Sequence, residues 1–162
     1  MNESMMEMAD SVKQYGVLVP ALVRPKSNGG YEMVAGHRRK MASELAGKLT
    51  ISCIVRDLTD DEAVIIMVDT NLKQRDQILP SEKAFAYKMK LEAIKHQGIA
   101  SSQVGKKLLS IEKVGEDNGE SRNQVHRYIR LTYLIPELLS MVDENKIAFN
   151  PAVEISYLDK SE

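Results

Sequence analysis

The chain has 162 residues, 43% of them apolar and 28% charged, with a net charge of −1. That is enough apolar material for one or two small cores, yet no window approaches the run of about 18 apolar residues needed to span a bilayer. The single cysteine, Cys53, excludes an internal disulfide; His37, His96 and His126 are too scattered for a metal site, and no secretory signal opens the chain, so a reducing cytoplasm fits best.

Residues 2–15 place Met5, Met8, Ala9 and Val12 on one helical face, with Gly16 as the expected stop. Val17 to Arg24 (VLVPALVR) reads as a strand, SNGG as a turn of positive-φ residues, and YEMVA as the returning strand of a hairpin with period-two alternation. After Gly36, HRRKMASELAG spaces Met41, Ala42 and Leu45 for a helix face and ends at Gly47. TISCIVRDL reads as a buried strand, and Thr59 with Glu62 forms a capping box opening the helix DEAVIIMVDTNL. This α+β part extends to about residue 76.

Beyond it every signal is helical. Pro80 opens SEKAFAYKMKLEAIKHQ, in which Ala84, Tyr87, Leu91 and Ile94 recur three or four apart before Gly98. The boundary therefore falls between Gln77 and Pro80, dividing the chain into domains 1–76 and 77–162. The segment 98–109 fits either a helix capped by Ser101 or Ser102 and running through Leu108, or a loop.

With Ser110 as cap, SIEKVGEDNGESRNQVHRYIRL has the spacing of a helix-turn-helix. Gly115 allows the first helix a close approach, Gly119 supplies the left-handed turn residue, and Val125 anchors the second helix. Ser121 caps that second helix, whose residues Arg122, Asn123, Gln124, His126 and Arg127 can reach base edges or phosphates, with Arg130 on phosphate. Ser121 to Leu131 holds three arginines and no acid, whereas Pro136 to Glu162 holds six acids against two lysines. Such sorting is the electrostatic footprint of a phosphate-binding face, although a solvated helical hairpin would also carry polar residues, and Asn118 stands where an apolar residue is usual.

The junction Gly36-His37-Arg38-Arg39 joins strand to helix, and amides at a helix start attract anions. The chemical reading is a phosphate site; the plainer one is that the arginines pair with Glu32 or Asp69. A second polar cluster, Asn71, Gln74 and Arg75, follows the next helix.

The succession GVLVPALVRP, GGYEMVAGHRRKMASELAG, ISCIVRDLTDDEA, TNLKQRDQILPSEKAFAYK and helix-turn-helix resembles the ParB/Noc family of bacterial DNA-partitioning proteins. The resemblance covers nearly the whole chain. It implies a small ParB/sulfiredoxin-like α+β domain followed by an all-α helix-turn-helix domain, in a cytoplasmic, nucleoid-associated protein. It also implies specific binding of double-stranded DNA and CTP-driven closure of a homodimer into a clamp. Carried over, Gly16 to Pro20 would border the nucleotide, Gly36, His37, Arg38 and Arg39 would hold its triphosphate, and Asn71, Gln74 and Arg75 would complete the pocket, Asn71 with Mg2+. A dimerisation domain and a segment engaging a ParA-type ATPase are expected outside the given residues.

The departures lie at functional positions. Val19 replaces Gln in GxxQP, His37 replaces Glu in GERR, Thr70 replaces Glu in ENxQR, and Lys73 is a one-residue insertion there. Losing two carboxylates removes the metal ligand and the water-orienting group, leaving Asp69 or Asp76 as substitutes, so CTP binding without appreciable hydrolysis is expected. A helix-turn-helix regulator without nucleotide switching is the alternative. A sulfiredoxin-like enzyme is the weaker one, because Gly36 occupies its cysteine position and Cys53 reads as an inert core thiol.

Overall fold

The computed structural model describes residues 3–74, 77–99 and 105–158. They group into two compact units, Met1–Ile66 and Met67–Glu162, and the architecture is α+β followed by all-α.

In the first unit, helix α1 (Glu3–Tyr15) ends at Gly16, whose φ of 75° is left-handed. Its expected face is the inward one: Val12 is buried and Met5, Met8 and Ala9 are half-buried. Strand β1 (Ala21–Pro25) pairs antiparallel with β2 (Tyr31–Ala35) and parallel with β3 (Cys53–Val55), giving the order β2-β1-β3. The intervening turn is closed by Lys26 N–H donating to the Gly30 carbonyl at 3.0 Å.

Three expectations change here. Strand β1 begins at Ala21 rather than Val17, because Pro20 has no N–H for a ladder and the Val19 and Pro20 carbonyls bond to a side chain instead. A register shift between Leu22 and Val23 interrupts the hairpin, and in β2 Val34 and Ala35 are both buried, so strict alternation fails. Strand β3 is an edge strand: Ile54 and Val55 are about half exposed and Cys53 is exposed, not a core thiol. It is held by backbone bonds to β1, from Ala21 N–H to the Ser52 carbonyl and from Arg56 N–H to the Val23 carbonyl.

Helix α2 (His37–Leu45) follows β2 and packs on α1. Of the face expected from Met41, Ala42 and Leu45, Ala42 is buried, but Met41 and Leu45 are exposed and Ser43 is buried beside Ala42 instead. Small residues let α2 lie close to its neighbours, and the Ser43 hydroxyl donates to the Arg39 carbonyl at 2.8 Å rather than remaining unpaired. Helix α3 (Asp60–Gln74) begins with the expected reciprocal cap: Thr59 N–H donates to Glu62 at 2.8 Å and Glu62 N–H to the Thr59 hydroxyl at 3.3 Å.

The second unit contains the remainder of α3, α4 (Pro80–Ile94), α5 (Gly105–Asn118), α6 (Arg122–Leu131), α7 (Pro136–Asp143) and α8 (Phe149–Ile155). Ala84, Tyr87, Leu91 and Ile94 are buried as their spacing predicts. Gly98 does not stop α4, which runs on into a π-helical turn over Lys95–Ile99. Ser101 and Ser102 lie outside the described residues. Ser110 is inside α5 and so does not cap it.

One buried residue escapes periodicity. Lys90 of α4 is fully buried, with its ammonium 2.5 Å from Asp69 of α3 and 2.7 Å from Asp117 of α5. Two carboxylates thus balance a charge that could not otherwise be buried. A second core cluster joins Ala84, Leu131, Val142, Ala152 and Val153, linking α4, α6, α7 and α8.

Candidate functional site

The sharpest local geometry in the first unit is at Gly36. It caps α2 with φ of 108° and supplies no side-chain cap. The first intrahelical bond is from Lys40 N–H to the Gly36 carbonyl, so the amides of His37, Arg38 and Arg39 precede the ladder, the arrangement that favours an anion. A Cβ on Gly36 would stand 2.8 Å from Ala21 Cβ, so glycine is what allows the helix start to press against β1.

His37 and Arg38 are exposed, and Arg38 donates to the Ser4 hydroxyl at 2.8 Å. Arg39 donates from Nη1 to the carbonyls of Val19 and Pro20, at 2.7 and 2.6 Å. Its guanidinium therefore ties the Val19–Pro20 end of the Gly16–Pro20 segment to the start of α2, two stretches that the family resemblance assigns to one site. Of the acids named in the plainer reading, Glu32 binds Arg24 at 2.7 Å and Asp69 binds Lys90.

Asn71 is exposed on α3, and Gln74 is that helix's last residue; Arg75 and Asp76 lie outside the described residues. Asp69 is not a free substitute for the missing carboxylates, because Lys90 holds it. Among the described residues no three His, Cys, Asp or Glu side chains gather to hold a metal.

In the second unit α5 and α6 form the helix-turn-helix. Gly119, with φ of 70°, makes the turn, and Glu120 N–H closes it on the Gly115 carbonyl at 2.9 Å. The close approach at Gly115 is to this turn rather than to the partner helix: an added Cβ would sit 2.4 Å from the Glu120 carbonyl oxygen. Asn118 fits its usually apolar position by donating to the Val114 carbonyl at 2.8 Å. Lys83 pairs with Glu120 and lies 4.8 Å over the Tyr128 ring. Burial first, and the Glu120 carboxylate second, raise the Tyr87 phenol above its ordinary pKa.

Ser121 caps α6 by accepting from Gln124 N–H at 3.2 Å, and Val125 is fully buried beneath it. Arg122, Asn123 and His126 are exposed; Gln124, Arg127 and Arg130 are half-buried. The last two are engaged by α8, which the sequence did not single out. Arg127 donates to Asn150 and lies over Phe149, while Arg130 bonds to Ser156 between the rings of Tyr133 and Tyr157. The pair Asn150-Pro151 signals a helix start, but nothing in linear spacing says which arginine it meets.

An α+β unit with a glycine-led basic helix, followed by a helical unit with a helix-turn-helix, defines a ParB-type architecture. The C-terminally truncated ParB of Caulobacter crescentus, in complex with the centromeric parS site, has the same fold at a TM-score of 0.66 and 26% identity, over 99% of this chain and 76% of that one. The same Caulobacter protein with CTP-gamma-S aligns at a TM-score of 0.42 and 28% identity, over 98% of this chain and 81% of that one. Residues 1–72 match the ParB N-terminal domain. The chain is 35% identical to chromosome-partitioning protein Spo0J of Thermus thermophilus, over 97% of this chain and 52% of that protein. It is 38% identical to the probable chromosome 1-partitioning protein ParB of Deinococcus radiodurans, over 93% and 46% respectively. The chain carries a ParB N-terminal domain over residues 1–72 and is similar to these ParB-type proteins along nearly its whole length, and it spans about half the length of the curated relatives it matches. Among the described residues no helix is long and apolar enough to cross a membrane.

Proposed function

We propose that this chain reads a specific duplex DNA site through α6 and holds CTP through the start of α2, within a clamp-forming partition protein. The functional division follows residues 1–76 and 77–162. The observation that carries the DNA reading is the acid-free, Ser121-capped α6, seated by buried Val125 with Arg122, Asn123 and His126 exposed. The Caulobacter relative whose fold it shares is complexed to parS. Arg122, Asn123, Gln124, His126 and Arg127 supply the polar contacts.

The triphosphate fits the donor set at α2: three amides ahead of the helical ladder, a glycine that takes no side-chain space, and the exposed Arg38. Arg39 has the further task of holding the Gly16–Pro20 segment against that helix. Asn71, Gln74 and Arg75 join the nucleotide by resemblance, with Asn71 the chain's ligand to Mg2+ and phosphate oxygens and water supplying the remainder. Self-association and a ParA-type ATPase partner come to this chain by resemblance as well.

Calorimetry of the chain with CTP and Mg2+ should give binding heat that Arg38→Ala and Gly36→Ala both abolish. Retention of sequence-specific DNA binding without heat from any of the four nucleoside triphosphates would favour the simple regulator. With His37 and Thr70 at the carboxylate positions and Asp69 occupied, phosphate release with DNA present should stay near the blank; brisk release would overturn the binding-only reading.

A further inference from the structure

Helix α6 is fastened to α8 by two of its arginines. At one end of α8, Arg127 Nη2 donates to Asn150 Oδ1, and the same guanidinium lies 5.1 Å over the Phe149 ring. At the other end, Arg130 Nε donates to the Ser156 hydroxyl at 3.3 Å, and Nη2 donates to the Ser156 carbonyl. Tyr157 and Tyr133 lie 3.9 and 4.6 Å from this second guanidinium. Phe149 and Asn150 open α8, and Asn150 is exposed.

We infer that Asn150 is a positioning residue for base readout: it fixes the plane and direction of the Arg127 guanidinium before DNA arrives. The inference rests on α6 being the DNA-reading helix, and it names the element that aims one of its side chains. An arginine offers five N–H donors in a rigid fork. Asn150 takes one, the Phe149 ring lies 5.1 Å from the guanidinium carbon, and the remaining donors can meet the O6 and N7 acceptors of a guanine. A side chain already ordered in the free protein loses less freedom on binding, so its readout is sharper. Arg130 fixes the far end of α8, so Asn150 stands on an anchored helix.

The test is selection from a pool of random duplex DNA by the 162-residue chain, by Asn150→Ala, Asn150→Asp and Arg127→Ala, and by the double alanine variant, with a thermal melt of each. The parent should enrich one sequence pattern. Asn150→Ala should lose about tenfold in preference at the one base-pair position that Arg127→Ala also loses, with other positions retained. The double variant should lose no more at that position, as expected of two residues acting as a unit. Asn150→Asp keeps the acceptor, so it should keep the preference while its added charge weakens binding to all sequences alike. An unchanged preference in Asn150→Ala, or a uniform loss at every position with a lowered melting temperature, would make Asn150 a staple of α8 only and leave the DNA reading standing. A parent that enriches no sequence would overturn the DNA reading of α6, and this inference with it.

Discussion

Three glycines separate two kinds of backbone constraint. Gly29, with φ of 87°, has nothing within 4 Å of an added Cβ, so Gly29→Ala meets only backbone strain, about 1–3 kcal/mol. Gly36 has φ of 108° and also faces Ala21, with a Cβ 2.8 Å from that side chain and 3.1 Å from its Cα. Gly36→Ala should therefore lower the urea midpoint more than Gly29→Ala does. Gly115 is helical, where alanine is ordinarily favoured by about 1 kcal/mol. Here its Cβ would stand 2.4 Å from the Glu120 carbonyl, so Gly115→Ala should be destabilising despite the propensity gain. A Gly36→Ala midpoint equal to that of Gly29→Ala, or a Gly115→Ala midpoint above the parent's, would show that the contact concerned relaxes without cost. Gly36 and Gly119 were legible because each follows a pattern of strand or helix that needs a turn. The neighbour of Gly115 was not, since a glycine inside a helix does not say which backbone approaches it.

At the scale of elements, starts were easier to read than faces. The Thr59–Glu62 box can be recognised from two residue types three apart, and it forms with both reciprocal bonds. The inner face of α2 holds Ala42 as its spacing predicts, but Met41 and Leu45 stay outside it because close packing there admits only side chains the size of Ala42 and Ser43. The edge position of β3 escaped because an apolar run looks the same at the middle of a sheet and at its rim. The cap at α3 has a consequence that can be measured. Bonds from the Thr59 amide first, and from its hydroxyl second, hold the Glu62 carboxyl below its ordinary pKa of 4.5. A depressed folded-state pKa gives stability that is present above the unfolded value and fades as pH falls through the folded one. The difference in melting temperature between the parent and Glu62→Gln should be largest above pH about 4.5 and shrink at lower pH. A difference independent of pH would mean that the ionised form is not what the cap uses.

Taken whole, the chain shows its charge pattern and family resemblance in the sequence, while the tie among three helices of the second unit appears only in space. Lys90 lies three residues after Tyr87 on the core face of α4, a position that periodicity assigns to an apolar side chain. Its partners Asp69 and Asp117 lie on other helices, where they read as ordinary surface acids. Lys90→Met should cost about 3 kcal/mol in urea denaturation, because it leaves two facing carboxylates without their cation. Adding Asp69→Asn and Asp117→Asn to Lys90→Met should return most of that loss, since it removes the repulsion between two partly exposed carboxylates left facing one another. A Lys90→Met variant as stable as the parent would show that water reaches the ammonium freely. The triad also constrains how this sequence can drift. Each of the three charged positions is locked by the other two, so a lineage leaving this arrangement must cross a less stable intermediate or change three helices almost together. The result is sign epistasis, built into the molecule by a single buried ammonium group.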